Sequence, residues 1–186
     1  LLSRGLGDVY KRQINTCLKN DLQIAALTMA LTLPDTCGKA YSPKGRNGER
    51  YANWYDDFIA TPKRKRGGID DAVINGKLVY KLRCAMLHES NPGVDGAEDV
   101  TKFSLIWRSL ASASRTTVER CIQRNADGVV QEHILSIDIV ALCQDICEAA
   151  LAYYRGNKDK FSFDYRIIST SDQVARAFHF PNAMDI

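Results

Sequence analysis

The sequence predicts an α+β domain that is mainly helical, with a small antiparallel β-sheet inserted before the last long helix. Two patterns carry this prediction. Apolar residues recur about every 3.6 positions in four stretches, as in amphipathic helices, whereas between residues 103 and 135 they recur every second position, as in half-buried strands. Length and composition agree with one globular domain, because 186 residues with 45% hydrophobic and 25% charged side chains exclude a disordered chain or a collagen-like fibre.

The first helix is predicted over residues 18–33, where apolar side chains cover most of the helical circumference. Such a pattern is typical of a helix surrounded by others. Asn20 or Asp21 is expected to cap its start, and Pro34 is expected to end it. A loop rich in Gly, Pro, Ser and Asn follows at residues 42–47.

The second helix is predicted over residues 49–59, where aromatic side chains at helical spacing form one face. These side chains are Tyr51, Trp54, Tyr55 and Phe58. Thr61-Pro62 is expected to end the helix, and the run of four basic residues that follows it predicts an exposed basic loop. The four residues are Lys63, Arg64, Lys65 and Arg66.

The third helix is predicted over residues 74–88 and ends at the strong stop Glu-Ser-Asn-Pro-Gly. After that stop the period changes, and three strands are expected at residues 103–107, 117–122 and 129–135. The last two flank the turn sequence Asn-Ala-Asp-Gly at residues 125–128, which predicts a β-hairpin.

The last helix is predicted over residues 137–154, with one apolar stripe and a polar opposite face, and it should close the bundle. The tail after it shows only weak patterns, with a short strand expected at 165–169 and a short helix at 172–178. No internal repeat or domain boundary is visible within residues 14–186, so this range is expected to form a single domain.

Residues 1–13 show neither helical nor strand periodicity before the amphipathic pattern begins near Ile14. Their sequence resembles translated sequencing-adapter read-through, which would make the segment non-native and the natural N-terminus missing. The alternative is an ordinary disordered N-terminal arm. The segment contributes a net charge of +2, so the formal charge of +3 for the whole chain falls to +1 for residues 14–186.

Charge and cysteine usage narrow the classes of partner and compartment. The 25 basic and 22 acidic residues are too balanced for binding to nucleic acid or membrane through bulk charge alone. The longest apolar stretch, residues 24–33, is shorter than the roughly 20 residues that a membrane span requires. The six cysteines include no Cys-x-x-Cys pair, and we expect no secretory leader, so reduced thiols and a cytoplasmic location are favoured. We therefore expect no membrane partner.

Arg83 and His88 are the pair of side chains that best suits a chemical reaction. His88 ends the third helix, where the negative end of the helix dipole favours the protonated imidazole. An arginine fork binds phosphate, and a histidine moves protons near neutral pH, so the pair suits phosphodiester cleavage. With RNA the substrate's own 2′-hydroxyl is the nucleophile, and no metal or other cofactor is required.

The spacing of this pair raises one geometric objection. On an ideal α-helix, side chains five residues apart diverge by about 140°. Arg83 and His88 therefore share a site only if the helix ends near Leu87 or if a second chain completes the site.

The Arg83-x-x-x-x-His88 spacing, late in a helix of a mainly helical domain, resembles the signature motif of the HEPN superfamily. Many members of that superfamily are metal-independent ribonucleases of toxin–antitoxin, abortive-infection and CRISPR-linked defence systems, in which a dimer brings two motifs into one cleft. The resemblance implies a HEPN-like helical bundle, a homodimer and an RNA substrate. It assigns Arg83 to the scissile phosphate and His88 to general acid or base catalysis, and it implies a cognate antitoxin or regulator.

The string from Tyr80 to His88, together with Leu142-Cys-x-x-Ile146-Cys, also resembles a group of bacterial proteins of about this length, and this second resemblance implies no activity. Tyr80 and Cys84 are counted as residues that support the site. Cys84 departs from the HEPN pattern, in which Asn, Asp or His often follows the arginine, and a thiol is a weaker hydrogen-bond donor than those side chains.

Three other clusters of residues each have both a functional and a structural interpretation. Cys143 and Cys147 have a spacing that suits a metal, but they fall on the apolar stripe of the last helix, where cysteine acts as a small apolar residue. The carboxylate pair at 56–57 would orient a base or a metal, or is a solvated face. The basic segment at 63–66 would attract RNA phosphates without sequence preference, or is a solvated loop. No phosphate-loop, dinucleotide-binding or His-Glu-x-x-His motif occurs.

The sequence thus leads to one main hypothesis and two alternatives. The main hypothesis is a metal-independent, homodimeric endoribonuclease of HEPN type that acts as a toxin or phage-defence effector. The first alternative is a non-catalytic module that binds RNA or a nucleotide. The second is a helical interaction module in which Arg83 pairs internally with a carboxylate such as Asp56 or Asp57.

Overall fold

The computed structural model describes residues 6–66, 74–89, 93–97, 100–108 and 118–161. Within these ranges the chain is mainly helical and carries a four-stranded sheet before the last long helix, which confirms the expected α+β class. The helices are α1 (Leu6–Lys19), α2 (Gln23–Ala30), α3 (Leu33–Tyr41), α4 (Asn47–Tyr55), α5 (Thr61–Lys65), α6 (Gly76–Cys84) and α7 (Ile139–Gly156). The strands are β1 (Gly93–Ala97), β2 (Val100–Ile106), β3 (Val118–Arg124) and β4 (Val130–Asp138).

Helix α1 begins well before the expected start near Ile14. Residues 6–13 belong to the same helix as Ile14 and Leu18, and Tyr10 packs against the core. The expected boundary between residues 13 and 14 therefore lies inside a helix. The adapter-like origin of residues 1–13 stays a hypothesis.

The single helix expected over residues 18–33 is wrong, because the chain turns twice within that range. Asp21 has a left-handed backbone (φ 56°), which aspartate tolerates better than most residues, and it separates α1 from α2. A second break at residues 31–32 separates α2 from α3. Pro34 then lies in the first turn of α3 instead of ending a helix, a position where its missing N–H is not needed.

The aromatic helix expected over residues 49–59 is confirmed and is longer than expected. Helix α4 continues through a π-helical turn at Asp56–Ala60 into α5, so Thr61-Pro62 does not end it. The π-helical turn changes the backbone bonding register just before the proline, which lets the chain pass it without a break. Tyr51, Trp54 and Tyr55 are buried, whereas Phe58 is 36% exposed.

The sheet is mixed and not purely antiparallel as expected. Its strand order is β1-β2-β4-β3, with β2 and β4 parallel and the other neighbours antiparallel. The predicted hairpin is confirmed, since β3 pairs with β4 through a turn in which Asn125 Oδ1 accepts bonds from the amides of Asp127 and Val129. Alternation alone predicts strands, but it does not reveal which neighbour each strand pairs with.

Helix α7 is the centre of the bundle and confirms the expected long amphipathic helix. It packs against α1, α2 and α3, and Leu142, Cys143 and Ile146 are fully buried. Asp138 caps its start by accepting a bond from the amide of Ala141 at 3.0 Å.

A buried polar cluster joins the sheet to the helices at the start of α7. Asp138 is 2% exposed and its Oδ2 lies 2.9 Å from Nε of Arg108, just after β2. Gln23 at the start of α2 donates its side-chain amide to the carbonyl of Arg108. These contacts hold the C-terminal ends of β2 and β4 against α2 and α7.

The strand and helix expected at 165–169 and 172–178 lie outside the described residues. Of the helices in the described ranges, none has both the length and the apolar character that crossing a bilayer would require.

Candidate functional site

Helix α6, which carries the Arg83 motif, is anchored firmly at its start. The side chain of Asn75 caps it by accepting a bond from the amide of Leu78 at 2.9 Å, and Asp56 Oδ1 accepts a bond from the amide of Gly76 at 2.7 Å. Gly76 lies directly against the backbone of Ala52 in α4. The motif therefore sits on a helix whose position relative to α4 is fixed by backbone contacts.

One face of α6 is buried in the core, so only side chains outside that face can contact a ligand. Leu78, Val79 and Leu82 are buried in the core at helical spacing. Tyr80, Arg83 and Cys84 occupy the adjoining face and are half-buried. Their surface position follows directly from the 3.6-residue period.

Arg83 is held by Asp35 on α3. Its Nε lies 3.1 Å from Asp35 Oδ2, and the side chains of Arg83 and Asp35 are 21% and 30% exposed. Burial lowers the pKa of the guanidinium. The Asp35 carboxylate and hydrogen bonds to Cys84 and Asp35 together raise this pKa by more than burial lowers it, so the net shift is upward. Arg83 therefore stays charged while it is partly withdrawn from water.

Tyr80 and Cys84 complete this cluster. Burial raises the pKa of the Tyr80 hydroxyl, and so does its interaction with the Cys84 thiol, to which it is hydrogen-bonded. The Tyr80 ring contacts the Tyr51 ring edge-on at 5.2 Å, and it also lies beside Gly48. Asp35, Arg83, Cys84 and Tyr80, here called the Arg83 cluster, thus join α3 and α6 next to α4.

His88 lies in a second π-helical turn, Ala85–Glu89, directly after α6. A π-helical turn is closed by bonds between residues i and i+5, so it adds one residue to the turn that separates Arg83 from His88. Two residues five positions apart in such a turn therefore diverge around the helix axis by less than the 140° of an ideal α-helix. The side chain of His88 is outside the described part of the structure.

Three of the four basic residues expected in a loop are helical instead. Lys63, Arg64 and Lys65 belong to α5, and Arg66 follows it. Lys63 forms an ion pair with Asp145 on α7 and is half-buried, as is Arg64, whereas Lys65 and Arg66 are exposed. The expected RNA-binding segment is therefore divided between a structural contact and a solvent-facing pair.

The carboxylates at 56–57 each contact a group other than Arg83. Asp56 binds the start of α6, and Asp57 accepts a bond from the Tyr41 hydroxyl at 2.8 Å. The suggestion that Arg83 pairs with a carboxylate of its own chain is right in kind, but the partner is Asp35.

The cysteines of α7 are packing residues. Cys143 is fully buried and Cys147 is 5% exposed. Burial raises the pKa of the Cys147 thiol to about 12 and that of Cys143 well above its ordinary value, so neither is a thiolate near neutral pH. Among the described residues, no three His, Cys, Asp or Glu side chains are grouped so that they could hold a metal ion.

Sequence reasoning missed two residues of this region, Asp35 and Asp145. Asp35 follows Pro34 in the first turn of α3, where acidic residues are common, and this pattern indicates a helix start but no distant partner. Asp145 falls on the polar face that the sequence predicts for the last helix, and this pattern indicates no partner. Neither ion pair has a signal in the local sequence.

Comparisons with protein-family models, with curated proteins and with solved structures find no match to this chain. The HEPN resemblance accordingly rests on the Arg83-to-His88 motif and its place in the fold.

Proposed function

We propose that this chain is a metal-independent endoribonuclease of HEPN type. One observation carries the proposal: the motif lies at the end of α6, where a π-helical turn holding His88 begins two residues after the half-buried, charged Arg83. The extra residue in that turn weakens the geometric objection that an ideal helix raises. A guanidinium partly shielded from water also binds a phosphate more strongly than a fully solvated one.

The proposed reaction divides between substrate and protein groups. The 2′-hydroxyl oxygen attacks the adjacent phosphorus, a new bond to O2′ forms, and the bond to the 5′-oxygen breaks. Arg83 stabilises the charge that develops on the phosphate, and His88 accepts or donates a proton as general base or acid. The products are a 2′,3′-cyclic phosphate and a 5′-hydroxyl, and the reaction involves no oxidation or reduction.

The partners in this proposal are RNA, a second copy of the chain and a cognate regulator. A homodimer would place two copies of the motif in one cleft, which gives one histidine for each proton transfer. The exposed Lys65 and Arg66 would attract RNA phosphates. A cytoplasmic toxin or phage-defence effector of this type would need an antitoxin or regulator to keep it inactive.

The test is cleavage of single-stranded RNA by the purified protein in EDTA. We expect cleavage to be lost in both Arg83→Ala and His88→Ala, while the circular dichroism spectrum is unchanged. Arg124→Ala and His133→Ala, on β3 and β4, are the matched controls and should cleave normally. Undiminished cleavage in Arg83→Ala and His88→Ala would overturn the proposal.

A non-catalytic binding or interaction module is the second candidate, and one specific observation favours it. The Asp35 carboxylate neutralises Arg83 within the chain, as expected for an arginine with a structural role. This candidate predicts that RNA binds without turnover, or does not bind, and that Arg83→Ala lowers stability.

A further inference from the structure

The contact between Asp35 and Arg83 uses a particular edge of the guanidinium. Asp35 Oδ2 lies 3.1 Å from Nε, and Nε is on the side of the planar group. The end of the group, formed by its two Nη atoms, is a separate edge with its own donors. A carboxylate at Nε therefore restrains the plane and direction of the guanidinium, which also hydrogen-bonds to Cys84.

The position of Asp35 is fixed by the surrounding helices. It lies in the first turn of α3, directly after Leu33 and Pro34, which are both buried. The buried Tyr51 of α4 donates its hydroxyl to the carbonyl of Leu31 at 3.0 Å, which ties the chain just before α3 to α4. Asp35 is thus a carboxylate on a rigid support, whereas an unsupported arginine side chain would sample many rotamers.

We propose that Asp35 is a positioning residue, which holds Arg83 by Nε and so orients the guanidinium to bind a phosphodiester. This inference rests on the proposed function, because it assigns the phosphate of that reaction to Arg83. Asp35 touches neither substrate nor reacting atoms in this proposal, and it acts through Arg83.

The opposite role makes a contrasting prediction. If Asp35 instead competed with RNA for Arg83, removing the carboxylate would strengthen binding and raise activity. A purely structural role would lower stability without a specific link to Arg83. The test must separate these three outcomes.

The experiment compares Asp35→Ala, Asp35→Asn and Asp35→Glu in the wild-type chain and in Arg83→Ala. Cleavage is measured with a single-stranded oligoribonucleotide, and binding with the same oligonucleotide carrying 2′-O-methyl groups, which remove the nucleophile. We expect Asp35→Ala to lower kcat by about 10- to 100-fold and to weaken probe binding, with partial recovery in Asp35→Glu. In the Arg83→Ala background, Asp35→Ala should have no further effect on binding.

Two additional readouts keep the inference separate from folding. The Arg83 Nε–H resonance in nitrogen–proton spectra should exchange slowly with solvent in the wild type and rapidly in Asp35→Ala. Asp35→Asn keeps the shape of the side chain, so it covers the case in which Asp35→Ala unfolds. Asp57→Ala is the matched control, since it removes another carboxylate with a side-chain partner, and it should leave binding unchanged.

The outcomes distinguish the two proposals. Probe binding that weakens in Asp35→Ala only when Arg83 is present supports the inference, even if the wild type does not cleave RNA and the nuclease proposal fails. Cleavage in which Asp35→Ala and Asp35→Asn equal the wild type overturns the inference and leaves the nuclease proposal intact. Tighter binding in Asp35→Ala, equal effects in both backgrounds, or a wild type that neither binds nor cleaves RNA also overturns it.

Discussion

Gly76 is the residue at which the packing of the motif helix is tightest. A Cβ atom added there would lie 2.2 Å from the Ala52 carbonyl oxygen and 2.6 Å from its Cα, and both belong to backbone that has no rotamer to change. Alanine favours helices over glycine by about 1 kcal/mol. We expect the clash to outweigh this gain, so that Gly76→Ala lowers the free energy of unfolding by about 3 kcal/mol.

Urea denaturation measures this prediction, and Gly156→Ala is its control. Gly156 ends α7, and a Cβ added there would meet nothing within 4 Å. The control should therefore be neutral or slightly stabilising. Equal effects of the two substitutions would contradict the claim that α6 is held against α4 by direct backbone contact.

Among single residues, Arg83 shows how far sequence reasoning reaches. Its place on the half-buried face of α6 follows from the helical period. Its contact with Asp35 does not, because the two residues are 48 positions apart and meet only through the packing of α3 against the other helices.

At the scale of elements, the β3–β4 hairpin is encoded by its turn. Gly128 has a left-handed backbone with φ of 79° and no atom within 4 Å of where a Cβ would lie. The cost of a side chain at this position is thus conformational and not steric. We expect Gly128→Ala to destabilise the protein by about 1 kcal/mol.

Gly128→Asn is the matched variant, because asparagine enters the left-handed region more readily than alanine. It should lose less stability in urea denaturation than Gly128→Ala. Both changes should raise amide exchange in β3 and β4 more than in α7. A larger loss for asparagine than for alanine would argue against a conformational origin.

The two π-helical turns are elements that periodicity does not reveal. Asp56–Ala60 joins α4 to α5 without breaking the helix, and Ala85–Glu89 directly follows α6. Apolar spacing predicts that a helix continues, but one additional residue in a single turn changes the spacing too little to be detected. The second of these turns sets the relation between Arg83 and His88 along the backbone.

At the scale of the whole molecule, buried thiols link stability to alkaline pH. Burial raises the pKa of Cys37 and of Cys147 from 9.0 to about 12. Below pH 9 each thiol is protonated in both states and makes no difference. Between pH 9 and 12 the unfolded chain loses these protons whereas the folded chain keeps them, so stability falls as pH rises.

We therefore expect the free energy of unfolding to be nearly constant from pH 7 to 8 and to fall above pH 9. Each buried thiol would contribute a slope of up to about 1.4 kcal/mol per pH unit. Urea denaturation of the wild type and of Cys37→Ala across this range checks the prediction. The slope should be smaller in Cys37→Ala, and an identical slope would show that Cys37 does not contribute.

The sequence by itself determined the features that depend on neighbouring residues along the chain. The aromatic face of α4, the buried stripe of α7 with its two cysteines, and the hairpin around Gly128 all follow from local period and turn chemistry. Only the tertiary structure decided the parallel pairing of β2 with β4 and the ion pairs of Arg83 with Asp35 and of Lys63 with Asp145. These contacts join segments far apart in sequence, and such contacts depend on how the helices and strands pack, which no local pattern encodes.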